Sequence, residues 1–292
     1  MSPAFLFSQF MGGLTTAMFL FLIASGLSLV FGVMRVINFA HGSFYMFGAY
    51  LAWQAVQWLH PTGGTFWVAV LVAGLGVGLL GALTERLLFR SLYGREELYQ
   101  LLFTYALVLI LDDAAKFLWG TEQLSVSAPP ALAGSVQIFG TTQPLYTLFI
   151  IAIGPAIAFA LWLVLNRTGA GRMLRAAQMD REMLDALGAN VATIYTVMFA
   201  FSAFLAGLSG ALVTPIESIV PGMDVLIIVQ AFIVVVIGGM GSLWGTFWGS
   251  VIYGQVLSFG ILIFPGFSLF SVFALMVVIL IVRPWGLFGR PL

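Results

Sequence analysis

The 292-residue sequence has no cysteine, a single lysine, two histidines and few charges of either sign. Without cysteine there is neither a disulfide framework nor a thiolate nucleophile. Two histidines, His41 and His60, are too few for a histidine-built metal site, so we expect none. The lysine, Lys116, is followed by Phe117 and not by the serine or threonine of a P-loop. We therefore expect that this chain binds no cofactor and does not hydrolyse ATP by that route.

Charged residues make up 8% of the chain and hydrophobic residues 61%, with a mean hydropathy of +1.09. A soluble domain carries about 25% charged residues, so this chain could not cover its surface against water, and its main solvent must be lipid. The net charge of zero gives no reason to expect nucleic acid as a partner. The first basic residue, Arg35, follows the first apolar stretch, which argues against a cleavable signal and for a retained helix.

The apolar stretches predict an all-α polytopic membrane protein of eight or nine transmembrane helices, some broken or re-entrant, in one domain over residues 1–292. All basic residues except Lys116 fall in segments that the positive-inside rule places in the cytoplasm. The loop 119–144 holds no lysine or arginine and is predicted to be external, with the N-terminus outside and the C-terminus cytoplasmic. The stretches cover residues 8–33, 42–59, 66–84, 98–118, 145–165, 191–213, 225–242, 244–263 and 267–283.

Residues 166–190 form the longest predicted cytoplasmic segment and have the character of a helix. Residues 172–187 are helix formers throughout, and Gly188 is a plausible C-cap. Apolar side chains can share one side of this helix, and Arg181 and Asp185 form an i,i+4 pair. Two interpretations stay open: a rigid element that a partner protein pushes on, or a helix lying on the membrane surface. The polar residues assigned to this segment are Arg172, Arg175, Asp180, Arg181, Glu182 and Asp185.

A polar break over residues 35–42 separates the first two apolar stretches. Asn38 and His41 would share a face if the break is helical, and Gly42 and Ser43 follow directly. Polar groups at membrane depth are costly unless paired, which makes them candidates for function. These four residues are candidates for the translocation path or for a helix break. The competing interpretation, which we favour for His41, is that they cap helix ends or bond neighbouring backbone.

A cluster of charges, Asp112, Asp113 and Lys116, lies late in the fourth apolar stretch. Lys116 can pair with Asp112 at i,i+4 and with Asp113 at i,i+3, so the cluster partly neutralises itself and can anchor a helix. The alternative is a proton or cation site in a stand-alone secondary transporter or channel. An intramembrane enzyme is the poorest interpretation, because the chain lacks cysteine, a cluster of histidine and carboxylate, and a Gly-x-Ser-x-Gly nucleophile elbow.

Glycines recur within residues 236–250, in sequence of membrane depth. The segment lacks a following lysine and a βαβ context, so nucleotide binding is disfavoured. Glycine lets neighbouring helix backbones approach, which predicts tight packing here, in a hairpin or in half-helices. The glycines assigned to this packing are Gly238, Gly239, Gly241 and Gly245.

Four segments together resemble the LivH-type permeases of the branched-chain amino acid ABC transporters. Their order and spacing agree over nearly the whole chain. The segments are GLSLVFGVMRVINFAHGSFYMFGAY (26–50), GRMLRAAQMDREMLDALGAN (171–190), FLAGLSGAL (204–212) and VVVIGGMGSLWGTFWGSVIYG (234–254).

This resemblance implies the ABC importer permease fold in the bacterial inner membrane. It further implies a second, LivM-type permease, two ABC ATPase subunits that use ATP and Mg, and a periplasmic substrate-binding protein. The helix over residues 172–187 would be the coupling element that an ATPase groove receives.

The sequence departs from the family at two places. Family members often carry an acidic residue where this chain has Ser43, and many have other polar side chains at Asp112 and Asp113. The substrate therefore stays open among branched-chain and other amino acids, amides such as urea, and aromatic acids.

Overall fold

The computed structural model describes residues 2–34, 36–59, 64–263 and 265–289 and shows a helical bundle. Arg35, His60 and Arg290, which entered the charge and histidine arguments, lie outside the described residues. The α-helices are α1 (Pro3–Met34), α2 (His41–Leu59), α3 (Thr65–Leu87), α4 (Glu97–Trp119), α5 (Leu145–Arg167), α6 (Gly169–Met179), α7 (Arg181–Ala186), α8 (Val191–Val213), α9 (Met223–Gly238), α10 (Leu243–Ile263) and α11 (Ser268–Val282).

Each predicted apolar stretch overlaps one of the helices α1 to α5 and α8 to α11. By length and composition, α1, α3, α5, α8 and α10 can each cross a membrane, whereas α9 is a shorter apolar helix. The prediction of an all-α polytopic membrane protein is confirmed.

One end of the bundle gathers the turns that carry most of the arginines. The rings of Tyr93 and Tyr195 meet there with centroids 5.3 Å apart. The backbone N–H of Leu287 donates to the Ile237 carbonyl at 2.9 Å, and the last turn of α1 lies against Gly241. We call this the arginine-rich end, formed by residues 88–96, 168–190, 239–242 and 283–289.

The opposite end carries a small β-hairpin that the sequence analysis did not anticipate. Strands β1 (Ser135–Ile138) and β2 (Thr141–Pro144) pair antiparallel. They are joined by Phe139 and Gly140, whose φ angles of 49° and 75° suit the tight turn of a two-residue hairpin. The predicted loop 119–144 therefore contains a β element inside an otherwise helical protein. We call this the hairpin end, formed by residues 120–144 and 214–222.

Helix α8 lies in the centre of the bundle and packs against α1, α2 and α3. The packing is close because glycines face backbone: a Cβ on Gly48 would lie 2.5 Å from Gly207 Cα, and one on Gly210 would collide with the Tyr45 carbonyl. In lipid the hydrophobic effect does not drive helices together. Small residues at the crossings allow close van der Waals packing, which holds the helices to one another.

The prediction of a single helix over residues 172–187 is wrong, because the structure divides this segment into α6 and α7. Asp180 separates them with extended backbone, φ −156° and ψ 101°, and its carboxylate accepts the Met183 N–H at 2.9 Å. Aspartate favours helix N-caps over helix interiors, because its short side chain can satisfy an unpaired backbone N–H. Gly188 follows α7 with a φ of 84° and allows the chain to turn towards α8.

Candidate functional site

The segment between α5 and α8 is fastened to the bundle through α6. The Thr168 hydroxyl caps α6 by accepting the Gly171 N–H at 3.1 Å. The Arg175 guanidinium donates to the Leu165 carbonyl and, at 3.4 Å, to Asn166 Oδ1. A cation beside the carbonyls that end α5 is stabilising in itself. These contacts hold α6 against the end of α5.

A second attachment joins α6 to α1 and to the turn before α10. A Cβ placed on Gly32 would lie 2.9 Å from the Gln178 amide nitrogen and equally close to Gly241 Cα. Beside this contact is a cavity of about 130 Å³, whose lining includes Arg175 and Gln178. Because α6 touches two spanning helices, a displacement of α6 must be taken up by both.

Helix α7 presents its side chains to the surface. Arg181, Glu182 and Asp185 are exposed, and Arg172 on α6 is exposed as well. The predicted Arg181–Asp185 pair does not appear among the ion pairs of the described residues. Both side chains are open to solvent, where an ion pair gains little.

Apolar side chains lie among these charges at the arginine-rich end. Met179, Met183 and Leu187 are 87%, 59% and 77% exposed. A surface that combines exposed apolar and charged side chains is suited to contact another protein.

The polar break is a helix break: α1 ends at Met34 and α2 begins at His41. Asn38 precedes α2, so it does not share a helix face with His41, and its side chain accepts the Ala40 N–H at 3.1 Å. His41 Nε2 lies 3.0 Å from the Ile23 carbonyl. Since a carbonyl can only accept, Nε2 carries the proton, which makes the ring a buried structural link between α2 and α1.

Ser43 and Gly42 meet the beginning of α9. The Ser43 hydroxyl donates to Asp224 Oδ2 at 2.6 Å, in fully buried surroundings. A Cβ on Gly42 would lie 2.5 Å from the Asp224 carbonyl oxygen. The N-terminal ends of two helices, α2 and α9, therefore meet inside the bundle.

Asp224 received no role in the sequence analysis. Asp224 is 1% exposed, and its other oxygen accepts the Val225 N–H at 3.0 Å. The available signal was an acidic residue directly before the apolar run 225–242, at the start of a helix where a carboxylate complements the helix dipole.

The charge cluster pairs within α4. Lys116 Nζ lies 2.6 Å from Asp112 Oδ2 and 3.3 Å from Asp113 Oδ1. Asp113 is 81% exposed and Asp112 only 20%. Asp112 is thus the member of the cluster that faces the interior.

The glycine-rich turn between α9 and α10 is a tight hairpin. A Cβ on Gly238 would lie 2.7 Å from the Thr246 nitrogen and would collide with the Gly245 carbonyl. Gly239 and Gly241 have φ angles of 101° and 80°, a conformation that other residues adopt only with strain. The turn also receives the end of the chain, because Phe288 N–H donates to the Gly238 carbonyl at 3.0 Å.

A buried carboxylate at the arginine-rich end also escaped the sequence analysis. Glu85 is 0% exposed and accepts the hydroxyls of Tyr93 at 2.7 Å and Thr196 at 2.5 Å. Burial and this hydrogen bond raise the pKa of the Tyr93 phenol, which therefore stays protonated and donates. Glu85 links the turn after α3 to the first turns of α8.

The long apolar helices and the buried polar groups between them define the class as a multi-pass helical membrane protein. The chain matches the family model described as "Branched-chain amino acid transport system / permease component" over residues 9–282. The chain belongs to this family, and it is a multi-pass inner-membrane permease subunit of the ABC importer class.

Two branched-chain amino acid permeases match over nearly their full length. The "High-affinity branched-chain amino acid transport system permease protein BraD" of Pseudomonas aeruginosa is 29% identical, over 97% of this chain and 95% of the relative. LivH of Escherichia coli, of the same description, is 27% identical over 100% and 98%. The "Fructose import permease protein FrcC" of Rhizobium meliloti is 29% identical over 65% of this chain and 54% of the relative.

Proposed function

We propose that this chain forms half of the translocation path for branched-chain or related amino acids. Support comes from relatives whose names specify branched-chain amino acid transport and which align over nearly the whole chain. The fructose permease is similar over a shorter part, so the sugar is the weaker candidate substrate.

The proposed assembly contains a second, LivM-type permease, two ABC ATPase subunits and a periplasmic substrate-binding protein. ATP and Mg are used by the ATPases. The exposed surface of α6 and α7, with its charges and unpaired apolar side chains, supports a docking role for this segment. This surface is the observation that carries the proposal.

We place the arginine-rich end in the cytoplasm and the hairpin end in the periplasm, with the N-terminus outside. The support is electrostatic: Arg86, Arg90 and Arg95 flank the turn after α3, and the segment after α5 carries further arginines. Cytoplasmic loops carry an excess of such residues.

The coupling mechanism follows from the attachments of α6. Closure of the ATPases on nucleotide would move α6 and α7 together. Arg175 and Gly171 would pass this motion to α5, and Gln178 to α1. Rigid-body tilting of these helices would alternate the path between its outward-open and inward-open states.

The experiment replaces Arg181 by glutamate. Arg181 is exposed and makes no ion pair among the described residues, so the reversal leaves the fold intact but opposes a docking partner. We expect ATP-driven leucine uptake by the complete importer to be lost while the subunit still inserts in the membrane. Glu122→Arg at the hairpin end is the matched reversal and should leave ATPase docking unchanged. Full uptake by Arg181→Glu would remove the coupling assignment.

The second interpretation, a stand-alone transporter that uses Asp112 and Asp113, gains no support. Both carboxylates are paired with Lys116, and the relatives are permease components.

A further inference from the structure

Among the described residues, two buried hydroxyls have no hydrogen-bond partner, those of Ser28 on α1 and Tyr50 on α2. Tyr50 on α2 is 0% exposed, and its hydroxyl contacts no donor or acceptor within bonding distance. Buried polar groups are nearly always bonded, because an unsatisfied one gives up its hydrogen bonds to water without replacement. In a transport protein, a buried hydroxyl without a hydrogen-bond partner suggests that a ligand supplies the partner.

A carboxylate oxygen, Asp112 Oδ1 on α4, is also without a partner. It is shielded from solvent and has no partner, whereas Lys116 takes the other oxygen. Helix α4 packs against α2, which carries both Tyr50 and Ser43. The two unpartnered atoms and the Asp224–Ser43 pair therefore form one neighbourhood of the bundle.

Helix geometry brings these groups to one level. Tyr50 follows Ser43 by seven residues, two turns along the same face of α2, and Trp119 follows Asp112 by the same interval on α4. The Tyr50 and Trp119 rings stack with centroids 4.9 Å apart. Long side chains on a helix lean back towards its N-terminus, so the Tyr50 hydroxyl points towards the level of Ser43 and Asp112.

The neighbourhood has more hydrogen-bond acceptors than donors and more negative than positive charge. It contains the carboxylates of Asp112 and Asp224, and the cation beside Asp112, Lys116, is shared with Asp113. Ser43 and Val225 N–H satisfy part of Asp224, but neither satisfies Asp112 Oδ1 or Tyr50. Unpaired charge at membrane depth is costly, and such residues mark substrate and ion pathways.

We propose that Tyr50, Asp112 and Asp224, with Ser43, form a binding site for the primary ammonium group of the transported substrate. An ammonium brings one positive charge and three N–H donors, which can be shared among the Tyr50 oxygen, Asp112 Oδ1 and the Asp224 carboxylate. No group of three His, Asp or Glu side chains in the described part of the chain could hold a metal ion. The inference rests on the proposed function and narrows its substrate to amine-bearing molecules.

The partial exposure of Asp112 provides access to this site. Its side chain is 20% exposed, whereas Tyr50 and Asp224 are 0% and 1% exposed. A substrate moving along the surface of α4 would meet Asp112 before the buried groups. The site would then discriminate an amino acid from a sugar, which has no ammonium to offer.

The test uses the complete importer in proteoliposomes, with its binding protein in excess, and measures uptake of radiolabelled leucine and fructose together with ATP hydrolysis. Tyr50→Phe removes only the orphan hydroxyl. Tyr253→Phe, at another buried tyrosine on α10, is the matched control. We expect leucine uptake by Tyr50→Phe to fall about tenfold, with ATP hydrolysis and assembly retained and Tyr253→Phe unaffected. Asp112→Asn, which keeps the shape but not the charge, should show the same loss.

The opposite results are equally definite. If the hydroxyl is only a structural defect, its removal leaves leucine uptake at the wild-type level and raises thermal stability, and the site is overturned while the importer stands. A wild-type importer that carries fructose and not leucine also overturns the site. Absence of ATP-driven uptake of either compound by the assembled wild-type complex overturns the proposed function, and this inference with it.

Discussion

Replacing Gly171 by alanine tests whether α6 must be held rigidly against α5. A Cβ at this position would lie 2.5 Å from the Leu165 carbonyl carbon and from the Val164 oxygen, and closer still to the Leu165 oxygen. Ordinary contact begins near 3.4 Å, so α6 would have to recede by roughly 1 Å. The neighbour is backbone and cannot rotate away. The same movement would weaken the bond from Arg175 to the Leu165 carbonyl.

The magnitude follows from two opposing terms. Alanine in place of glycine favours a helix by up to about 1 kcal/mol, while overpacking costs about 1–3 kcal/mol. The upper part of that range applies because the clash is with backbone and an arginine contact weakens as well. We expect the docked arrangement of α6 to lose about 2 kcal/mol, a shift of roughly thirtyfold in its equilibrium with undocked arrangements.

The assay compares leucine uptake per ATP hydrolysed for Gly171→Ala and Gly169→Ala in the reconstituted importer. Gly169 is two residues away in the same helix, and a Cβ there would meet only the tip of Arg172 at 3.9 Å. We expect Gly171→Ala to hydrolyse ATP with little uptake and Gly169→Ala to behave as wild type. Equal uptake per ATP for the two variants would refute the rigid attachment of α6 to α5.

Two further changes probe other contacts of the bundle. Glu85→Ala removes the acceptor of the Tyr93 and Thr196 hydroxyls, and we expect the complex to lose about 2 kcal/mol of stability, seen as a lower melting temperature after solubilisation. Glu85→Gln keeps an acceptor oxygen and should lower the melting temperature less. Equal melting temperatures for wild type and Glu85→Ala would contradict the network. Asp180→Ala removes the α7 cap and should cost about 1 kcal/mol of local stability. Hydrogen exchange at the Met183 amide should quicken, and unchanged protection there would disprove the cap.

The helices were predictable because their signals are local. Apolar runs of spanning length coincide with the long helices, and the pairs of Lys116 with Asp112 and Asp113 follow from helical spacing alone. The break at Asp180 was equally local, since aspartate is a preferred cap, but the helix-forming residues around it outweighed this signal. The hairpin at residues 135–144 is short and lies in a segment without spanning character, so composition gave little indication of it.

The site was less predictable because its contacts join distant parts of the chain. Ser43 meets Asp224 across 181 positions, and Glu85 meets Thr196 across 111. Neither the periodicity of the sequence nor the spacing of its residues predicts such long-range pairs. The orphan state of Tyr50 is likewise a property of packing, because the sequence of α2 does not reveal which hydroxyls find partners.

The most direct measurement of the central claim asks on which side of the membrane α7 lies. The natural chain has no cysteine, so single cysteines can be placed at Asp185 in α7 and at Gln137 in β1, both exposed. With a membrane-impermeant maleimide on intact cells, we predict that Gln137→Cys is labelled and that Asp185→Cys is labelled only after permeabilisation. Labelling of Asp185→Cys from outside, with Gln137→Cys protected, would contradict a cytoplasmic coupling segment.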